Sequence, residues 1–357
     1  AGSIGAIAAA RTGAKTLVVE QYGSIGGILS LGMAFLGSSD AEGYRALGGI
    51  GGEMLDRLIR ANGGTKITVD SLFGSVVGHD PELTKLTLIE MAQEAGVQFL
   101  LHSFVADVLT DGSKIKGLMV ANKGGLEIVT AQSFVDCTGD ADITARANGK
   151  FTFGREGDSL TQPVSGIFRV GGVNVEKIWD YLDANPDDMK TPEGWSGESY
   201  NVGYLRKTPG ATVEGFRKLI VKAQEAGDYD IPRDRLGLNT FPDRNEVTVN
   251  VTRVHGIDGT NPDDISRAEI ESQRQIMVAM RFLRKYVPGF ENARIISTPY
   301  QVGVRESRHI TGDYTLTKED VLEGREFEDR IGRGAYPLDV HDVKPGSKVL
   351  GNVVKGG

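Results

Sequence analysis

The sequence predicts an α/β protein: a parallel sheet with helices packed on it, an antiparallel β-meander inserted before the last strand, and a second domain of α+β type. Three observations lead there. A helix of small residues over 3–11 passes through a turn at Gly13 into the apolar run Thr16-Leu17-Val18-Val19, a gap that fits only an α/β turn. Three strand-like runs separated by hairpin turns follow between 104 and 130. Beyond Lys150 the texture changes, and the domain boundary is placed there.

Taken in order, Thr16 to Val19 reads as a buried strand ending at Glu20. From Gln21 to Gly52 the chain is rich in glycine (Gly26-Gly27, Gly32, Gly48 to Gly52) before a helix carrying Met54, Leu55, Leu58 and Ile59, and loops of this length are usually functional. Asp80-Pro81-Glu82 opens a helix with aspartate as N-cap and proline in the first turn. Leu83, Leu86 and Met91 fall on one side of it, and Gly96 ends it. The meander is Phe104 to Thr110, Lys114 to Asn122 and Leu126 to Thr130, with turns at Asp111-Gly112 and Gly124-Gly125. Ser133-Phe134-Val135-Asp136 reads as the last strand of the parallel sheet.

In the second part, residues 185–211 hold Pro186, Pro192 and Pro209 with Gly194, Gly197, Gly203 and Gly210, which predicts a surface excursion or lid. Val247, Val249 and Val251 alternate with Thr248, Asn250 and Thr252, the period of a half-buried strand. Ser266-Arg267-Ala268-Glu269 has the form of a capping box, and Ile276, Met280, Leu283 and Val287 share a face of the helix it opens, which Pro288-Gly289 ends. The expected organisation is therefore 1–150, 151–300, and a return segment over 301–357.

Composition narrows the function. The 357 residues suffice for two domains at about 100–200 residues each. A net charge of −8 gives no general electrostatic footprint for nucleic acid or anionic lipid, and no window approaches about 18 consecutive apolar residues. The lone Cys137 forms no internal disulfide and cannot by itself ligate an iron–sulfur cluster or a thiolate-rich zinc site. Glycine, at 48 residues, is roughly twice its usual share of about 7%, so many positions need positive φ or a close approach. No G-x-S-x-G, H-E-x-x-H or Walker A motif is present, which disfavours serine hydrolase, zincin and P-loop chemistry.

Two constellations point to a ligand. Gly2, Ala6 and Ala10 leave one helix face bare, and Glu20 ends the next strand 18 residues after Gly2. That is the spacing of a dinucleotide-binding βαβ unit, although an ordinary packing helix would show the same face. Val135-Asp136-Cys137-Thr138-Gly139-Asp140 reads either as a strand delivering a glycine and an aspartate to a ligand or as a helix start capped by Asp140.

The order of these pieces resembles a known family. Ala1-Gly2 to Glu20, Gly26-Gly27, the meander and Asp136-Cys137-Thr138-Gly139-Asp140 look like the FAD-dependent oxidoreductases of the glutathione-reductase-like, two-dinucleotide-binding superfamily, in the grouping similar to the flavoprotein of heterodisulfide reductase. Val302-Gly303-Val304-Arg305-Glu306-Ser307-Arg308-His309, Gly312-Asp313-Tyr314-Thr315-Leu316 and Tyr336-Pro337-Leu338-Asp339-Val340-His341 carry the more specific part of the likeness. The resemblance implies a Rossmann-like FAD-binding domain, with a first strand and a C-terminal glycine-rich segment beyond the residues given. By position it implies Gly2 near the pyrophosphate and Glu20 on the adenosine ribose. Gly26, Gly27 and Ser30 would wrap the flavin side, Val105 would offer backbone to the adenine, and Gly139 with Asp140 would meet the pyrophosphate and ribityl chain.

A flavin asks the protein for orientation, for positive charge where the reduced ring becomes anionic, and for a group that takes the substrate proton. Arg305, His309 and His341 are the candidates, with Arg308 beside them; an ion pair of Arg305 with Glu306 or Asp313 is the structural alternative. His79, His102 and His255 read as surface or capping groups, and Asp339, His341 and Asp342 as a polar loop rather than a metal site. The expected protein is a cytoplasmic flavoenzyme moving hydride between a small organic substrate and FAD, with a redox partner protein a further possibility. The rivals are a flavoprotein component that only transfers electrons and an enzyme that uses NAD directly.

Overall fold

The computed structural model describes residues 1–40, 43–70, 74–190, 200–336, 338–344 and 350–352. The chain opens with α1 (Gly2–Arg11), which buries Ala6 and Ile7 and stops where Gly13 takes a φ of 92°. β1 (Leu17–Val19) follows. Next come β2 (Phe35–Leu36), α2 (Gly49–Arg60), β3 (Thr68–Asp70), β4 (Gly74–Val77), α3 (Pro81–Glu94) and β5 (Gln98–Leu100). β1 and β5 pair in parallel, Leu17 against Gln98 and Val19 against Leu100, while β2, β4 and β3 form a small antiparallel sheet. Ile7, Ile25, Met54, Leu55, Leu58, Val77, Leu88 and Met91 make the first core.

The two-stranded parallel sheet corrects two expectations. β1 is less buried than its apolar run suggests, with Leu17 41% exposed, because among the described residues it has a hydrogen-bonded neighbour on one edge only. Residues 133–136 form no strand, and Val135 is 84% exposed. Apolar composition supplies a surface to bury, but a strand exists through its ladder partners. The segment instead runs beside the start of α1, where a Cβ on Gly2 would stand 3.1 Å from that of Cys137.

Asp80 caps α3 by accepting from the backbone N–H groups of Glu82 and Leu83, with Pro81 in the first turn. The buried face of this helix is Thr84, Thr87, Leu88 and Met91, and Leu86 points outward. The meander follows as β6 (Phe104–Asp111), β7 (Lys114–Asn122) and β8 (Gly125–Val129), and then α4 (Asp142–Arg146).

The second core is built on a five-stranded antiparallel sheet. Its elements are β9 (Phe151–Phe153, outside the sheet), β10 (Phe168–Gly171), α5 (Val175–Ala184), α6 (Val202–Lys207), β11 (Thr212–Gly215), α7 (Arg217–Glu225), β12 (Leu236–Phe241), β13 (Glu246–Asn250), α8 (Pro262–Tyr286) and β14 (Arg294–Ser297). The strand order is β11-β12-β13-β10-β14. Helices cover one face, burying Phe168, Trp179, Phe216, Phe282 and Phe290 completely, each worth about 2 kcal/mol of transfer free energy.

The other face meets the first core, so Thr248 is buried where alternation predicted solvent. A Cβ on Gly78 would stand 2.8 Å from Phe241, and buried Arg169 pairs with Glu246 and, at 3.4 Å, with the cap residue Asp80. α8 starts earlier than Ser266: Asn261 caps it, Pro262 takes the first position, and Ser266 donates back to the Pro262 carbonyl. Residues 191–199 of the expected lid lie outside the described residues. Its described flanks are core rather than surface, since Met189, Tyr200, Val202 and Leu205 are buried.

The return segment adds β15 (Arg308–Ile310), antiparallel to β9, then α9 (Lys318–Glu323), β16 (Leu338–Val340) and β17 (Leu350–Asn352). Among the described residues no helix is long and apolar enough to cross a membrane.

Candidate functional site

At the end of β1, the Glu20 N–H bonds to the Leu100 carbonyl. One carboxylate oxygen accepts from Tyr22 N–H at 3.0 Å. Burial raises its pKa, and the backbone donors of Tyr22 and Gln21 act against that. The Glu20 carbonyl also accepts from Ser103 N–H at 2.9 Å, which brings the start of β6, with Val105, to the same end of the sheet. Gly2 sits in the first turn of α1.

Gly26 and Gly27 take φ of 124° and 54°, and nothing lies within 4 Å of a Cβ built on Gly27. Buried Ser30 donates to the Gly27 carbonyl at 2.7 Å and stands 3.0 Å from the Tyr300 hydroxyl. Gly139 is equally open, at φ 94°. The two oxygens of Asp136 accept from Thr138 and Thr144, which ties the Gly139 turn to α4.

Residues 302–310 lace this side to the second core. Val302 N–H reaches Glu269, Gly303 pairs with Ser165, and Glu306 accepts from Gln162 N–H at 3.0 Å. Ser307 donates to Asp140 Oδ1 at 2.6 Å, and Arg308 donates to the Asp140 carbonyl and the Asp142 carboxylate, both at 2.8 Å.

Beside this lace sits a cluster of charge. Arg253 pairs with Asp342 at 2.6 Å, and its Nη2 is 3.3 Å from His341 Nδ1. An arginine only donates, so Nδ1 is the acceptor and Nε2 carries the proton that faces Asp339 at 3.2 Å. Tyr336 donates to the same Asp339 at 2.8 Å. Burial works against charge on Asp339, but His341 and Tyr336 outweigh it and hold its pKa down to about 2. His255 Nε2 is buried without a hydrogen bond, 3.6 Å from Asp342.

Arg305 lies close enough to Asp339, the partner of His341, to feel its charge, whereas His309 stands on β15, half exposed and paired with Glu306 at 3.2 Å. It reaches His341 only at a remove, because Gln162 accepts from the His341 N–H. Arg305 makes no ion pair with Glu306 or Asp313; it donates to Pro163 and Ser165. His79 and His255 are not surface groups: His79 is fully buried, stacked on Phe35, and bonded to Thr84 and Met33. Sequence reasoning missed Arg253, Ser307 and Tyr300. The signal available for Arg253 was that Val247, Val249 and Val251 set a parity it continues just past β13. Among the described residues no three His, Cys, Asp or Glu groups are placed to hold a metal.

Comparison with known proteins finds the FAD dependent oxidoreductase family over residues 1–356. No curated protein matches the chain. Among solved structures, CabE, an aromatic hydroxylase from angucycline biosynthesis, is 14% identical with a TM-score of 0.44, over 87% of this chain and 52% of CabE. The myxobacterial chondrochloren halogenase CndH is 14% identical with a TM-score of 0.48, over 85% and 61%. The p-nitrophenol 4-monooxygenase PnpA from Pseudomonas putida DLL-E4 is 10% identical with a TM-score of 0.46, over 87% and 66%. The chain thus spans about half the length of CabE. By the match over nearly its whole length, the chain belongs to the FAD-dependent oxidoreductase family.

Proposed function

We propose that the protein is an FAD-dependent oxidoreductase that moves hydride between a small organic substrate and the flavin. The observation that carries this is the Ser307–Asp140 hydrogen bond, which joins the expected cofactor turn to the cationic segment. The residues present fit FAD. Glu20 at the end of β1 would hold ribose hydroxyls, the first turn of α1 at Gly2 would hold the pyrophosphate, and the open backbone at Gly27 and Gly139 leaves room for the cofactor chain. Val105 would line the adenine, and Gly26, Ser30 and Asp140 would complete the cradle.

Bound FAD supplies the hydride chemistry. The chain's own part is to hold the substrate against it and to place charge and proton acceptors, with Arg305 and His341 in those roles. His309 acts through Glu306 and Gln162, as a positioning residue. In this arrangement residues 1–150 hold FAD, 151–300 cover the ring and 301–357 return to it, an order in keeping with the glutathione-reductase-like flavoproteins. A single cysteine, exposed and free, fits the reducing cytoplasm.

The test is the visible absorbance of the purified protein after incubation with FAD. Oxidised flavin retained through gel filtration, then bleached by a small organic donor, supports the reading. Flavin retained but bleached only by a partner protein would make the chain an electron-transfer component. No retention would overturn both.

A further inference from the structure

We propose that Arg305 is a carboxylate-binding residue, so that the substrate is an organic acid gripped side-on by the free edge of this guanidinium. The proposal rests on the flavoenzyme reading and names its substrate class. Arg305 is anchored through Nη1 alone, which donates to the Pro163 carbonyl and, at 2.9 Å, to Ser165 Oγ. Ser165 is itself held, because its backbone exchanges hydrogen bonds with Gly303 two residues before Arg305. The opposite edge, Nε with Nη2, has no hydrogen-bond partner among the described residues and is not sealed from solvent. Two coplanar N–H groups at that spacing match the two oxygens of a carboxylate.

Charge accounting singles out the same residue. Arg233 is 3.4 Å from Glu214, and Arg253 is 2.6 Å from Asp342. Among the described residues no carboxylate lies within ion-pair distance of Arg305. Burial, with Arg233 and Arg253 nearby, pushes its pKa down to about 10 against the favourable charge of Asp339, which makes no ion pair with it, so the cation stays short of counter-charge. A docked monoanion supplies that charge. A dianionic phosphoryl group would bring a second negative charge toward Asp339, Asp342 and Glu214, which disfavours it. A neutral amide fills the shape of the fork and leaves the charge uncompensated.

The experiment is calorimetric titration of the protein, with FAD and stripped of it, using acetate and benzoate against acetamide and benzamide, and inorganic phosphate as a third probe. Carboxylates should bind about tenfold or more tightly than their amides, the worth of a hydrogen-bonded charge. Arg305→Met should remove that preference with FAD content unchanged. Arg305→Lys, which keeps the charge without the fork and serves should the methionine variant not fold, should retain only part of it. Equal binding of acid and amide, preference for phosphate, or a preference that survives in Arg305→Lys undiminished overturns the proposal. So does loss of FAD with carboxylate binding intact, which would make the cofactor the counter-ion. A protein that takes up no FAD fails the flavoenzyme reading, while the stripped-protein titration still decides the anion site.

Discussion

Ser307 donates its hydroxyl to Asp140 Oδ1 at 2.6 Å across 167 positions of sequence, and the next residue, Arg308, holds the Asp140 carbonyl at 2.8 Å. One aspartate is thereby fixed by side chain and backbone at once. Burial raises the Asp140 pKa, and the Ser307 hydrogen bond is the leading effect that opposes it.

Replacing Ser307 with Ala should therefore leave a half-buried carboxylate short of a donor and cost about 1–3 kcal/mol of stability. Urea unfolding measures it. Ser307→Thr, which keeps the hydroxyl, should recover most of the loss; equal destabilisation by both variants would mean that packing matters there and the hydrogen bond does not.

Glu20→Ala should weaken FAD binding by about 1.5–3 kcal/mol, the worth of hydrogen bonds to a charged group, without a matching loss of stability. Among the described residues the carboxylate has only local backbone donors, Tyr22 and Gln21, so little else depends on it. Flavin fluorescence titration reads the affinity, and an unchanged value removes Glu20 from the ribose.

The buried His79 gives the fold a defined pH dependence. Burial lowers its pKa from 6.5 to about 4, against the Met33 carbonyl beside Nε2, which favours the charged ring. The unfolded chain binds the proton first as pH falls. Its contribution is thus complete above about pH 6.5 and is lost between there and pH 4, by about 3 kcal/mol. Asp140, Glu20 and Glu269 have raised pKa values and act in the opposite sense. The quantity to measure is therefore the difference between wild type and His79→Gln in urea at pH 7 and pH 4.5. A difference that does not narrow at the lower pH would refute the assignment.

What could be read from the sequence was local. The Asp80-Pro81 start, the meander and its turns need only neighbours in the chain, and each lies where the residues put it. Residues 133–136 failed because a strand is made by partners the segment itself does not encode. The Ser266 box placed the start of α8 too late, because Asn261 caps the helix and Pro262 loses nothing at the first helical position. Within the proposed site, Glu20 at the end of β1 is where the spacing put it, and Gly139 was singled out by the family resemblance. The pairings of Arg253 with Asp342, and of Ser307 with Asp140, join residues 89 and 167 positions apart, which spacing does not reach.

Arg169 tests how the two cores are held. It is 4% exposed, shared between Glu246 and Asp80, and its Nε is buried without a partner. Arg169→Met should cost about 3 kcal/mol, because it strands Glu246 next to an already ionic Asp80. Adding Glu246→Gln should return much of that loss. An additive double variant would show that the pair is not coupled.

Gly139 and Gly13 form a matched pair that separates backbone strain from cofactor contact. Their φ values are 94° and 92°, and a Cβ built on either meets nothing within 4 Å. In the protein alone, an alanine at either position is a cost of conformation and not of collision, about 1–2 kcal/mol for an L-residue held at positive φ. Gly13→Ala and Gly139→Ala should therefore lower stability by similar amounts. Gly13 only ends α1, so its variant should bind FAD as the wild type does. Gly139 stands in the turn before Asp140, where the open space is assigned to the cofactor chain. Its variant should lose at least about tenfold in FAD affinity, because the added methyl then competes with the pyrophosphate for the same volume. Chemical unfolding and flavin titration on the two variants decide it together. Equal FAD affinity with equal destabilisation would move the cofactor chain away from this turn.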